Sequence, residues 1–238
     1  FVQVHDHSVR NLVIDEGRLW PNKTVFYEFA EDEYHPMEQM WIEQAIKSLQ
    51  KLTCVQIKKR VDEENYLHIQ NNKGCAAPVG FYPLGKVEMF LQLPLCIKWG
   101  TIQHEFLHSL GFWHEHTRPD RDRYVSVQWD NIVSGAETNF LSRSASEAHL
   151  ENMPYDYESV MHYKHTAFSK DLTRPTLVPR KAGVEIGQRI KVSKIDVAKL
   201  NRLYECGREF YRGDELVEEF VTPETVSTTH TSGDSNSV

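Results

Sequence analysis

The segment His104-Glu105-Phe106-Leu107-His108-Ser109-Leu110-Gly111-Phe112-Trp113-His114 has the residue types for metal-assisted hydrolysis. On a helix, side chains four residues apart share a face about 5–6 Å apart. His104 and His108 can therefore aim imidazole nitrogens at one ion, with bonds of about 2.0–2.1 Å. Glu105 follows directly, where a carboxylate can reach a water bound to that ion. Gly111 permits positive φ, so the chain can turn sharply and return His114 as a third ligand. Three neutral imidazoles leave a divalent ion its full charge and open positions for water and substrate. A bare H-E-x-x-H is compatible with an ordinary helix. The longer H-E-x-x-H-x-x-G-x-x-H is far more specific. His5, His7, His35, His68, His149 and His230 lack this spacing and read as surface or hydrogen-bonded groups, and His116 falls near the motif but outside its pattern.

The elements that must position this segment follow from periodicity. Trp99 to Leu110 reads as a helix with Gly111 at its left-handed C-terminal cap. Pro36 opens another, in which Met37, Met40, Trp41, Ala45, Ile46, Leu49 and Leu52 recur at three- and four-residue steps as one apolar face. Val25–Phe29, Cys54–Lys58, Tyr66–Gln70 and Val87–Leu91 read as strands, with a charged turn at Val61–Asn65 and a Gly- and Pro-containing loop at Gly74–Gly85. Residues 112–190 show few periodic segments apart from a short helix expected near Asn131–Leu141. A last helix is expected over Ser193–Tyr204, with Ser193 as N-cap and Asp196 completing a capping box.

The chain has 238 residues, 27 Lys+Arg against 34 Asp+Glu (formal net charge −7), 40% apolar residues and five Trp. That is core material for one large domain or two lobes of about 100 residues each, and it excludes a generally disordered chain. The negative balance argues against nucleic acid as a partner. No run approaches the roughly 18 apolar residues of a membrane span; Met89–Ile97 is broken by Gln92 and Pro94. Four cysteines without a C-x-x-C suit two disulfides in an oxidising compartment, with three pairings open. Asn22-Lys23-Thr24 is a glycosylation sequon if the chain is secreted. The chain opens on Phe1, as expected of a trimmed precursor, and residues 207–238 read as a polar, disordered tail.

The histidine segment resembles the metzincin metalloproteases, and its surroundings narrow the likeness to the astacin family. His114-Glu115-His116-Thr117-Arg118-Pro119-Asp120-Arg121-Asp122-Arg123-Tyr124-Val125 is similar to the family's G-F-x-H-E-x-x-R-x-D-R-D-x-Y-V run, and Ser159-Val160-Met161-His162-Tyr163 to its Met-turn. Ile186-Gly187-Gln188-Arg189 and Leu200-Asn201-Arg202-Leu203-Tyr204, ending at Cys206, resemble its C-terminal pattern. The likeness covers residues 11–206.

It implies an α+β, two-lobed metzincin catalytic domain. Residues 11–111 would form a twisted, mixed five-stranded sheet with two helices. Residues 112–206 would form a mostly irregular lobe with one long helix, with zinc in the cleft between. The implied activity is that of a secreted zinc endopeptidase, a hydrolase of extended polypeptides that uses a zinc-bound water. One Zn2+ would be held by His104, His108 and His114, with Tyr163 as a weaker fifth ligand. Glu105 would be the general base, Tyr163 an oxyanion donor and Met161 an apolar floor. The implied disulfides are Cys54–Cys206 and Cys75–Cys96. The family is made as zymogens, so an activating protease is expected to cut between Arg10 and Asn11, leaving residues 1–10 as propeptide remnant. Glu115 would then meet the new N-terminus. The family's inhibitory F-x-G-D is absent, with Asp6 only an approximate stand-in. Substrate is expected along a sheet edge near Val87–Leu91, and Arg180 and Lys181 would shape a pocket for acidic side chains. Two alternatives are a zinc amidase, which the Met-turn and Tyr163 oppose, and a secreted zinc-binding pseudoprotease or interaction module. The latter normally lacks a ligand or the base, and this chain retains both.

Overall fold

The computed structural model describes residues 12, 15–144 and 153–218. β1 (Thr24–Phe29), β2 (Gln56–Lys59), β3 (Tyr66–Gln70), β4 (Cys75–Ala76) and β5 (Lys86–Leu91) form one sheet in the order β2-β1-β3-β5-β4. The first three pairings are parallel, and β4 runs antiparallel to β5. The register sets Val25 beside Ile57, Tyr27 beside Leu67 and Ile69 beside Met89. These side chains are buried, as alternation along a strand requires when one face meets a core. β2 and β3, separated in sequence by a charged turn, are not neighbours; β1 lies between them.

α1 (Pro36–Gln50) and α2 (Trp99–Ser109) are the two helices of this lobe. Ile42, Ala45, Ile46 and Leu49 are the buried stripe of α1. The face expected from sequence is too wide, since Met37, Met40, Trp41 and Leu52 are exposed. At 3.6 residues per turn, Trp41 lies about 100° from Ile42, and it packs edge-on against Trp99 at 5.5 Å instead. α2 is buried from Gly100 to Ser109, placing Ile102, Phe106 and Leu107 in the sheet core.

The second half holds β6 (Val125–Val127) paired antiparallel with β7 (Leu177–Pro179), α3 (Lys194–Leu203) and α4 (Asp214–Glu218). The helix expected near Asn131–Leu141 is instead two 3-10 turns, Trp129–Asn131 and Glu137–Phe140. α3 begins as its sequence predicts: Ser193 Oγ accepts from Asp196 N (2.8 Å) and Asp196 accepts from Ser193 N (3.0 Å). Val125, Ile132, Phe140, Tyr155 and Leu177 make a small second core.

Cys54–Cys206 and Cys75–Cys96 are disulfides, the pairing that the resemblance implies. The first ties the lead-in to β2 to the chain beyond α3. Residues 207–218, expected within a disordered tail, are ordered against α3. Asn201 Nδ2 donates to the Leu52 and Tyr211 carbonyls (both 2.9 Å), and Arg202 pairs with Asp214 (2.6 Å). Composition does not show this, because polar α3 side chains capture backbone there, with Phe210 packed on the main core. Among the described residues no helix is long and apolar enough to cross a membrane.

Candidate active site

The end of α2 makes the site. Gly111 takes φ +104°. Its N–H donates to the His108 carbonyl (2.8 Å), and Phe112 N–H to the Leu107 carbonyl (3.0 Å), the double bond of a Schellman cap. The chain reverses there and brings His114 back toward α2. Ligand-capable atoms of His104, His108 and His114 all lie within 4.8 Å of one another. His108 Nε2 and His114 Nε2 are 3.2 Å apart. Tetrahedral ligands about 2.0–2.1 Å from one ion stand about 3.3 Å from each other, so this spacing suits a single zinc-sized ion.

Tautomers follow from the partners. His104 Nδ1 lies 2.7 Å from the Val160 carbonyl, and His108 Nδ1 2.7 Å from the Phe112 carbonyl. A carbonyl only accepts, so each Nδ1 carries the hydrogen and each Nε2 keeps the lone pair a metal needs. Burial pushes all three imidazoles below their ordinary pKa, His108 to about 4, so they are neutral at physiological pH.

Glu105 is 3% exposed, and its Oε2 has no hydrogen-bond partner. Burial pushes its carboxyl up to about 8, against the opposing charge of Arg189, and a divalent cation held by the neighbouring imidazoles would favour the ionised form. An orphaned carboxylate oxygen beside converging imidazoles is a place for a water or a substrate group.

Support comes from α3. Asp196 accepts from Ser159 Oγ (2.6 Å) and Val160 N (2.9 Å), and the Val160 carbonyl in turn orients His104. Asp196, the third residue of α3 and part of its capping box, thus fixes the turn carrying Met161, which is buried and whose carbonyl accepts from Glu115 N (3.2 Å). The Tyr163 ring lies 4.4 Å from His114 and 4.1 Å from His116. Burial pushes its phenol up to about 12, so the hydroxyl stays a donor. Sequence spacing missed His116, a buried ring whose Nε2 meets the Asn139 carbonyl (3.0 Å).

Glu115 lies beneath the histidines, fully buried. Its partners among the described residues include Lys199 Nζ (2.7 Å), Arg118 Nη1 (3.1 Å) and Asp156 N (2.9 Å). Burial alone would raise its carboxyl, but Lys199 and Arg118 outweigh that and hold it below the usual range. The expected cleavage point, Arg10 and Asn11, lies outside the described residues. Asn22 is exposed in the turn before β1.

A cleft of about 700 Å³ opens over the histidines, walled by β4, α2, Tyr163 and Arg189. Two expectations are corrected here. β5 is an interior strand, so the sheet edge along the cleft is the short β4. Arg180 and Lys181 do not line the cleft: Arg180 N continues the β6–β7 ladder to the Tyr124 carbonyl (2.8 Å), and Nε donates to the Asp122 carbonyl (2.7 Å). The cations in the cleft are Lys98, Arg143 and Arg189. Arg189 stood in a recognised segment (Ile186–Arg189), yet no spacing rule tied it to the histidines; the fold does. Desolvation lowers its pKa, and Nη1 donates to the His162 and Gln188 carbonyls (2.9 and 2.8 Å).

Comparison with known proteins agrees with this geometry. The family model described as Astacin, a peptidase family, matches residues 12–205. Meprin A subunit beta of Homo sapiens is 42% identical over 201 residues, 84% of this chain and 28% of that protein. Zinc metalloproteinase nas-14 of Caenorhabditis elegans is 38% identical over 204 residues, 84% of this chain and 40% of that protein. The structure of high choriolytic enzyme 1, a hatching enzyme zinc-protease from the medaka Oryzias latipes, superposes with a TM-score of 0.76 at 34% identity, covering 80% of this chain and 96% of that one. The chain therefore spans well under half of the first two relatives.

Proposed function

The chain belongs to the astacin family of zinc metalloendopeptidases, and from that premise we propose that it hydrolyses peptide bonds within extended polypeptides outside the cell. The observation that supports this most is the buried, unpartnered Glu105 Oε2 beside three neutral imidazoles in an open cleft. His104, His108 and His114 would hold one zinc ion, with Tyr163 as a weaker additional ligand. Bound there, zinc supplies Lewis acidity, which brings the pKa of a water toward about 7 and polarises a carbonyl.

The chain's own residues do the rest. An extended peptide pairs with the free edge of β4, which carries its scissile carbonyl across the histidines. Glu105 takes a proton from the attacking water on Oε2 and hands it to the leaving amine, the two halves of general acid–base catalysis. Tyr163, with its phenol protonated, donates a hydrogen bond to the oxygen that gains charge. Lys98 and Arg189, both lining the cleft, favour substrates with acidic side chains. Two disulfides and an exposed sequon at Asn22 suit an extracellular setting. Activation by cutting between Arg10 and Asn11 completes the proposal.

The test is Glu105→Gln in zinc-loaded protein. Turnover of a peptide substrate should fall about 10²–10⁴-fold, the usual weight of a general base, while metal content stays stoichiometric. Near-normal turnover in that variant removes the assignment.

A further inference from the structure

Arg143, half-buried, differs from Arg118 and Arg121, the buried guanidiniums of the second half. Arg118 meets Glu115 and Asp120, and Arg121 meets Asp122. Among the described residues the Arg143 side chain meets no acid and no hydrogen-bond acceptor; its Nε is buried and unpartnered. Its guanidinium sits 3.8 Å from the centre of the Trp113 ring. The indole Nε1 of Trp113 is likewise buried without a partner. Both residues line the cleft. The backbone holds them there, since Arg143 N donates to the Thr117 carbonyl (2.7 Å).

A guanidinium above an indole uses its π face for the contact and keeps its in-plane N–H groups for an acceptor. Two orphaned donors, one of them cationic, with no acceptor between them carry a desolvation cost that an anionic acceptor would relieve. The group whose geometry suits a guanidinium fork is a carboxylate.

Position says which carboxylate. Trp113 follows the C-terminal end of α2. Lys98 precedes its first residue, and Gly100 packs so closely on Arg189 that an added Cβ would collide with the Arg189 carbonyl. Trp99–Ser109 rises about 16 Å at 1.5 Å per residue. The pairs Arg143–Trp113 and Lys98–Arg189 therefore flank the histidines from opposite ends of the helix.

We propose that Arg143 and Trp113 form a carboxylate-binding subsite that reads an acidic substrate side chain on the far side of the scissile bond from Arg189. The proposal rests on the peptidase reading above.

The experiment uses peptide pairs differing only by Glu against Gln at successive positions, with wild type, Arg143→Gln, Arg143→Lys and Trp113→Phe. In wild type, kcat/KM favours Glu at one position on that side. Arg143→Gln lowers this ratio by about 10–100-fold, the weight of a lost charge-assisted hydrogen bond. Arg143→Lys restores part of it, Trp113→Phe lowers it less, and the ratio on the Arg189 side persists. A ratio unchanged in Arg143→Gln overturns the proposal, and so does an equal loss on both peptides, which marks a structural role. The same peptide pairs titrated into Glu105→Gln protein, with and without Arg143→Gln, decide the matter by affinity. That arm separates failure of the subsite from failure of the peptidase reading, which shows as wild type that cleaves nothing.

Discussion

Within β3 the fully buried side chains are Leu67 and Ile69; within α3 they include Asp196, Lys199 and Asn201. The sheet half is held by apolar faces in register, each strand reporting its own burial through alternation. The other half closes over Glu115, Arg118, Asp156, Asp196 and Lys199, whose hydrogen bonds and ion pairs replace the missing ladders. The contrast shows two ways of fixing a cleft. Two histidines and Glu105 stand on a helix packed against the sheet. The turn that orients His104 is instead fixed by a buried carboxylate, Asp196. Precision in the second half comes from charge satisfaction, which is lost abruptly when one partner is removed.

The sharpest way to break that contrast is to remove Lys199. Lys199→Met leaves Glu115 buried with less countercharge and should cost about 3–5 kcal/mol. Leu67→Ala in the sheet should cost about 2–5 kcal/mol by leaving a cavity. Hydrogen exchange separates the two. In Lys199→Met the amides of 153–163 and α3 should lose protection first, while β1, β3 and β5 keep theirs; Leu67→Ala should do the reverse. Equal loss across both halves in either variant would show that the molecule opens as one unit and that the contrast has no energetic meaning.

The same contrast explains what was legible. The strands, α1, α2 and the cap of α3 follow from period and capping residues, because those elements bury one face against a core. β4 escaped because two residues inside a glycine-containing loop show no period; only its pairing with β5 defines it. β6 and β7 escaped because they are short and about 50 residues apart in sequence. Of the site, His104, Glu105, His108 and His114 were legible because helix spacing and one glycine impose their convergence. Arg189 and Arg143 were not, since they reach the cleft through tertiary packing, and neither was His116, a fully buried ring stacked on Tyr163. Arg180 and Lys181 misled for the same reason: charge is visible in sequence, but the side of the β6–β7 ladder on which it falls is not.

A smaller effect concerns pH. Asp156 is pushed up to about 7 by burial, by Asp196 and by Glu115. A carboxyl whose folded pKa exceeds its unfolded value binds a proton more tightly in the native state. Its contribution favours folding below the unfolded pKa near 4 and is lost as pH rises through about 7. Glu115, held low by Lys199 and Arg118 despite burial, acts oppositely: its contribution is present above about 4.5 and is lost as pH falls through its folded pKa. Asp156→Asn should therefore flatten the fall in melting temperature between pH 5 and pH 8, leaving the loss below pH 4 in place. A variant with the wild-type slope over that interval would assign the titration to Asp196 instead.

The smallest test compares like with like. Both halves start a helix with a capping box, in one at the surface and in the other inside. His35 Nδ1 accepts from Met37 N (3.3 Å) and Glu38 from His35 N (2.8 Å), all exposed to water. Ser193 Oγ accepts from Asp196 N (2.8 Å) and also donates to Asp156 Oδ2 (2.5 Å). Removing either cap frees an N-terminal amide of its helix, which costs about 0.5–2 kcal/mol. At α1 water takes over the freed groups, so His35→Ala should fall at the bottom of that range. At α3, Ser193→Ala also strands a carboxylate oxygen of Asp156 away from water, so its cost should reach the top. Denaturant midpoints of the two variants measure the difference directly. Equal midpoints would mean that water reaches Asp156, and the second half would then owe its order to something other than buried charge.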